Sequence, residues 1–300
     1  MKLKARLSLT IGACALALSA NASAAGTWQN IPGLPKGHAA VASSDGSSST
    51  VYFLNNTWVS QGWGLQKYDF QHPGNGIQNV GSFQGTSLAI DQGGTLWMIL
   101  AGNTVREIDS SNWSAPPTAC EGGSFSFRLE GGHNNIAVQN AAQTGLPLGP
   151  HAKIYVIDGN GGVRMWWDTV SCWLAMPALP SGFVANDISV KPNSERVWVA
   201  DSNGAVSVLS GVTWQLLDHS NGHVKALGGR SGRLGSENVA VGFNNMDLYN
   251  WNDTTGWTYD PDWQHWQFLQ FGTAYVSGSP TKFVDQVAIG LENTIWAKVQ

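Results

Sequence analysis

The sequence predicts an all-β fold, a six-bladed β-propeller with four-stranded antiparallel blades, and three observations carry that expectation. Between Gly26 and Gln300 one pattern recurs six times: an apolar strand with a small residue at its centre, a turn, then a second apolar strand. A repeat of roughly 40 to 60 residues built of strands alone is the sequence form of a ring of blades. The composition agrees, with 36 Gly, 15 Trp and only 12% charged residues, and no long stretch with helical periodicity. Such a balance suits short strands joined by tight turns. Finally, the two ends complete one another's pattern, as a closed ring requires.

The elements follow in order. Residues 1–24 read as a secretory signal: Lys2, Lys4 and Arg6 precede an apolar run at 7–18, and Ala22-Ser23-Ala24 is a small-residue cleavage site. A lipid-attachment alternative at Ile11-Gly12-Ala13-Cys14 leaves an apolar core at the bottom of the usual range of roughly 7 to 15 residues. Residues 25–300 then form one propeller domain, expected to be secreted or periplasmic. No later stretch approaches the roughly 18 apolar residues of a membrane helix. Removing the signal takes away three basic residues and no acidic ones, moving the formal charge from -4 to -7. That excludes nucleic acid as the expected partner, because phosphates call for a basic surface.

First strands are clearest at His38-Ala39-Ala40-Val41, Ser87-Leu88-Ala89-Ile90, Asn135-Ile136-Ala137-Val138 and Asp187-Ile188-Ser189-Val190. Their second strands are Val51-Tyr52-Phe53-Leu54, Leu96-Trp97-Met98-Ile99, Ile154-Tyr155-Val156-Ile157 and Val197-Trp198-Val199-Ala200. Glu237-Asn238-Val239-Ala240-Val241-Gly242 and Asp285-Gln286-Val287-Ala288-Ile289-Gly290 read as twin first strands of the last two units. The small residues Ala40, Ala89, Ala137 and Ser189 are expected to let innermost strands crowd around an axis. Mixed strands beginning at Val105, Val163, Val206 and Leu248 read as fourth, outer strands. Each leads to a turn and a tryptophan: Trp113, Trp173, Trp214, Trp257. Gly26-Thr27-Trp28 supplies the same element at the N-terminus, so the terminal segments are expected to close the ring.

Turn chemistry agrees at Asp45-Gly46, Gly93-Gly94, Asp158-Gly159-Asn160-Gly161 and Asn203-Gly204, where positive backbone dihedrals are needed. Calcium is the alternative for the Asp158 and Asp201 turns, though neither continues into the alternating ligands and distal Glu of a calcium loop. Cys120 and Cys172 bracket the third repeat and remain after signal cleavage. In an oxidising compartment they are candidates for a disulfide, which spacing alone leaves open.

A Trp opening each unit, as in Trp28-Gln29-Asn30-Ile31-Pro32-Gly33 and again at Trp173 with Ala178-Leu179-Pro180, followed by an apolar-Ala-Val strand and a Val-Trp-Val strand, resembles the tectonin β-propeller repeat. The resemblance covers essentially the whole mature chain; the third repeat is long, and the fifth and sixth have shifted strands. It implies a glycan-binding lectin acting at cell surfaces, lipopolysaccharide included, without catalytic apparatus or cofactor.

The residues themselves offer little chemistry. The six Glu lie apart in sequence, which gives no reason to expect the two carboxylates that glycoside hydrolysis brings together in space. His219 and His223 flank a Ser-Asn-Gly turn, so helical metal-ligand spacing does not apply. Gly228-Gly229-Arg230-Ser231-Gly232-Arg233 lacks the Lys-Ser/Thr ending of a phosphate loop, and no Gly-x-Ser-x-Gly elbow occurs. Tryptophan remains. A sugar presents a face of C–H bonds to an indole while its hydroxyls seek polar side chains. Trp97 and Trp198 sit within apolar strands and read as inter-blade core, and Trp113, Trp173 and Trp214 recur in register as anchors. The ligand-binding candidates break the repeat: Trp58 and Trp63 in a polar extension of the first unit, Trp263 and Trp266 in a segment rich in Asp, Gln and His, and Trp167. Trp166 and Trp167 are adjacent and so face opposite sides of a strand, one buried and the other exposed. The expected function is therefore a non-enzymatic, carbohydrate-binding propeller recognising glycans; a scaffold for surface proteins is the alternative, and a propeller hydrolase or lyase the third.

Overall fold

The computed structural model describes residues 28–30, 41–42, 50–55, 63–69, 71–90, 95–108, 113–129, 134–139, 153–190, 196–217, 224–229, 239–243, 248–252, 255–259, 267–271, 284–289 and 294–299. These residues form 23 strands and one short 3-10 turn, Pro73–Asn75. The predicted signal lies outside the described residues. So does Ala40, while Ala89, Ala137 and Ser189 fall on inner strands as expected.

The first strand, β1 (Trp28–Asn30), belongs to the last sheet. The next seven, β2 (Val41–Ala42), β3 (Thr50–Asn55), β4 (Trp63–Asp69), β5 (Gln78–Ile90), β6 (Leu96–Leu100), β7 (Thr104–Glu107) and β8 (Ser114–Ala115), make one continuous antiparallel sheet in chain order. It holds two repeat units joined by the 13-residue β5. The first half of β5 pairs with β4 as an outer strand, the second half pairs with β6 as an inner strand, and Gly85 faces both Trp63 and Leu100. A Cβ on Gly85 would sit 2.7 Å from the Ile99 carbonyl oxygen, so only glycine fits where the strand passes from one unit to the next.

The middle units are simple four-stranded meanders. The third comprises β9 (Ile136–Gln139), β10 (Lys153–Ile157), β11 (Val163–Trp167) and β12 (Cys172–Ala175); the fourth, β13 (Ala185–Val190), β14 (Val197–Asp201), β15 (Val206–Ser210) and β16 (Thr213–Leu217). The fifth is β17 (Val224–Gly229), β18 (Val239–Phe243), β19 (Leu248–Asn252) and β20 (Gly256–Tyr259). Two strand assignments therefore change. The mixed strands at Val105, Val163, Val206 and Leu248 are third strands, and the turn–Trp elements lead into or lie within the fourth. The supposed twins differ as well: Val239–Phe243 is the second strand of its unit, because the Gly-rich Val224–Gly229 is the first and lacks the apolar signature of its counterparts.

The last sheet, ordered β1, β21 (Gln267–Phe271), β23 (Thr294–Val299), β22 (Val284–Ile289), departs from the expected antiparallel pattern. Only β22 and β23 form a hairpin; β21 runs parallel to β23, and β1 parallel to β21. Tight turns force antiparallel pairing, and strands delivered from elsewhere in the chain escape that constraint. Inner strands touch in succession, β5 with β9, β9 with β13, β13 with β17 and β17 with β22, and β22 also touches β2.

One register rule runs through the units. The small inner-strand residue lies directly opposite an aromatic on the second strand: Ala42 with Tyr52, Ala89 with Trp97, Ala137 with Tyr155, Ser189 with Trp198, Ala288 with Trp296. Directly opposed residues share a face of the sheet, and at Ala89, Ala137 and Ser189 the small partner leaves room for the buried ring. The small residues thus answer to their own sheet's second strand as well as to crowding between inner strands. The fifth unit breaks the rule, with Gly228 opposite Ala240. Trp97 and Trp198 are buried as expected, each in a cluster that joins its unit to the next: Trp97 with Val138, Trp166 and Trp173, and Trp198 with Trp251 and Trp257. Tyr155 does the same between the third and fourth units. The core is therefore a set of layers between sheets.

Four inner strands carry a bulge at the same place, leaving Thr86, Asn186, Lys225 and Asp285 as the extra residues. In two of them the following residue ties neighbouring units together. The Ser87 hydroxyl accepts the Asn135 N–H at 2.9 Å, and the Asp187 carboxylate accepts the Asn134 N–H at 2.9 Å. Ile188 N–H donates in return to the Asn134 carbonyl at 2.9 Å. An extra residue rotates the chain beyond it, as a bulge does where a side chain must be re-aimed.

Candidate functional site

The candidate site grows from the outer hairpin of the third unit, β11, the turn at 168–171, and β12. Strand pleating sends Trp166 inward and Trp167 outward. Trp166 is 7% exposed, and its indole N–H donates to the Asp168 carboxylate at 3.2 Å. Trp167 is 39% exposed, the one tryptophan classed as exposed among those whose side chains are described. Thr169, Val170 and Ser171 of the turn that follows it are exposed too, so the apolar plate is succeeded in the chain by two exposed hydroxyl residues.

Beneath that plate lies a stack of edge-to-face rings. Trp113 meets Trp97 at 5.3 Å and Trp166 at 5.5 Å, and Trp166 meets the fully buried Trp173 at 5.3 Å. Phe127 reaches Trp173 from the other side at 5.3 Å. Such pairs add about 0.5–1.5 kcal/mol each beyond the area they bury. The recurrent tryptophans are anchors: Trp173 Nε1 donates to the Pro116 carbonyl at 3.0 Å, and Trp214 Nε1 to the Pro177 carbonyl at 2.8 Å. At equivalent positions both indoles bind the proline that follows the previous unit's fourth strand.

A strap at 116–129 crosses the outer edge of this unit. Ala119 pairs with Trp173 in parallel, with Trp173 N–H to the Thr118 carbonyl at 2.9 Å and Cys120 N–H to the Trp173 carbonyl at 3.0 Å. Cys120 and Cys172 are joined by a disulfide, with Cα atoms 5.0 Å apart. Arg164, only 14% exposed, binds Glu121 at 2.7 Å and Asp158 at 3.2 Å and lies 4.4 Å over the Phe125 ring. The hydrogen bond from Arg164 holds the Glu121 carboxyl below its ordinary pKa. Sequence reasoning left the disulfide open and missed the strap, whose signal, the long connection after Trp113, carried no strand pattern.

The Asp158 and Asp201 carboxylates are turned into their own loops. Asp158 Oδ1 accepts the Asn160 and Gly162 N–H groups at 3.0 Å each, and Asp201 Oδ1 accepts those of Asn203 and Ala205 at 2.9 and 2.8 Å. Among the described residues no three His, Cys, Asp or Glu side chains converge on a metal-sized site. Nor is any described helix long and apolar enough to cross a membrane.

Of the predicted binding tryptophans, Trp63 and Trp167 fall among the described residues. Trp58, Trp263 and Trp266 lie outside the described residues. Trp63 begins β4 and lies opposite Gly85 in the register. Trp63 starts the third strand of its unit while Trp167 ends the third strand of another, so the two stand at opposite ends of equivalent strands.

No family model matches this chain, and no curated protein matches it by sequence. Solved structures do. A structural-genomics protein of unknown function from Bacteroides thetaiotaomicron VPI-5482 superposes with a TM-score of 0.56 at 11% identity over 88% of this chain, which spans 66% of that protein's length. U3-55K gives a TM-score of 0.53 at 10% identity over 87% of this chain and 74% of its own. The β-propeller domain of Cps50 (Swd1) from Myceliophteria thermophila gives 0.47 at 11% identity, with 85% and 76% covered. At such identities likeness is one of fold, and successive four-stranded sheets with apolar layers between them make the chain a β-propeller.

Proposed function

We propose that this chain is a six-bladed, closed propeller of the tectonin type that binds carbohydrate without catalysing a reaction, exported to a periplasm or beyond the cell, where it recognises surface glycans such as lipopolysaccharide. The observation that carries the binding reading is Trp167, an exposed indole at the end of β11, followed in the turn by exposed Thr169 and Ser171. An aromatic plate for the sugar's C–H face beside polar groups for its hydroxyls is what such a site needs. Six blades and closure are supported by the succession of inner-strand contacts back to β2 and by β1 lying in the sheet that holds β23. The disulfide suits an oxidising compartment.

Glycan-array binding by the wild-type chain tests the reading. Trp167→Ala is expected to abolish or strongly weaken the signal while leaving the melting temperature within about 2 °C, since removing an exposed side chain costs little. Trp58→Ala, Trp63→Ala and Trp263→Ala report whether further sites add avidity. A silent array would defeat the lectin reading; a specific protein pull-down alongside it would favour a scaffold, to which exposed Val170, Val212 and Leu216 would contribute apolar contact.

A further inference from the structure

We propose that the Cys120–Cys172 disulfide is the lock that positions the Trp167 plate, so that ligand binding there depends on the redox state of this pair. The inference rests on the reading of Trp167 as the ligand plate. Cys172 is the residue directly opposite Trp167 across the hairpin, so the bond is made at the base of the plate itself. The turn between them is held by long bonds, all of 3.2 Å or more, including the one from the Trp166 indole to Asp168. Val170 N–H reaches the Trp167 carbonyl at 3.3 Å, Ser171 N–H the Asp168 carbonyl at 3.2 Å, and the Ser171 hydroxyl the same carbonyl at 3.4 Å. Ser171 also sits at φ 51°, a left-handed conformation that a residue with a Cβ adopts only when its surroundings impose it.

The next residue, Cys172, is tethered to the strap. The strap is itself well anchored, through Arg164 to Glu121, the Phe127–Trp173 ring contact, Gly159 N–H to the Ser126 carbonyl at 2.7 Å and Arg128 N–H to the Ile157 carbonyl at 2.9 Å. Cutting the sulfur–sulfur bond therefore leaves the strap docked, with Trp173 still paired to Thr118 and Cys120, and releases only Cys172 and the turn before it. A dithiol reductant supplies the two electrons and two protons. The S–S bond breaks, two cysteine thiols form, and the reductant leaves as its own disulfide.

The test uses the full mature chain and purified lipopolysaccharide as probe, with hydrogen exchange measured at 168–172. Reduction, verified by alkylating two free thiols, and the Cys120→Ser/Cys172→Ser variant are each expected to weaken binding about tenfold, as loss of preorganisation does. Exchange should rise at 168–172 and stay low in the strap. Ser171→Gly, which relieves the turn in the locked protein, should cut the loss on reduction to below about threefold. Binding by reduced protein within about twofold of the oxidised form overturns the inference, as does unchanged exchange at 168–172. If oxidised protein fails to bind lipopolysaccharide, that glycan falls as the ligand separately, and the glycan array decides the lectin reading. The lock is then judged by exchange and by iodide quenching of Trp167 fluorescence, and no change in either refutes it.

Discussion

Trp166 and Trp167 are neighbours in the chain with opposite fates, and their difference was legible because consecutive strand residues face opposite ways. What the chain order could not show is which one faces the rings of Trp113 and Trp173, since that depends on how the hairpin meets its neighbours. Trp173→Ala removes the centre of this stack and should cost about 3–5 kcal/mol, a loss visible as a lower midpoint in urea or heat. Glu121 gives a titration at the same scale. Its carboxyl is held below the ordinary value by Arg164, so the stabilisation it provides is complete above that value and is lost as pH falls through the depressed folded pKa. Arg164→Met should raise the Glu121 pKa toward the ordinary carboxylate range, read directly by NMR titration. High salt should shrink the difference, because Glu121 is half exposed.

Among elements, second strands such as Leu96–Leu100 and Val197–Asp201 were the most legible, being short apolar runs bounded by turn residues. Fourth strands were less so: Ser114–Ala115 is two residues long and follows its Trp, so no alternation could announce it. The bulges were invisible. Thr86 and Asn186 look like ordinary polar residues at strand starts, and only the register reveals them as extra. Their consequence is measurable through Asp187, which is buried and accepts the Asn134 N–H across two units. Asp187→Ala strands that donor and should destabilise the protein by about 1–3 kcal/mol, whereas Asp187→Asn keeps an acceptor and should lose less. A chevron or equilibrium melt of the two variants distinguishes the cases.

For the whole molecule, repetition made the propeller readable while the last sheet escaped. Nothing in Gln267–Phe271 says that it will lie parallel to Thr294–Val299, because its pairing is set by which edge is left open once β22 and β23 have formed. The candidate site was legible in part for a similar reason. Trp167 stood out by breaking the repeat, but the strap bonded to Cys172 opposite it is a long-range contact between residues 52 apart at the two cysteines, and spacing does not report geometry.

The continuous β5 strand also bears on cooperativity. Separate blades could open one at a time, as units of a repeat protein can. A single strand threading two of them leaves no hinge at which the first could detach from the second, so Thr50–Glu107 should behave as one foldon. In low denaturant, amides of Thr50–Asn55 and Leu96–Leu100 should share one opening free energy, while those of Lys153–Ile157 follow another. Gly85→Val, which drives a side chain against the Ile99 carbonyl, should lower protection in both units together.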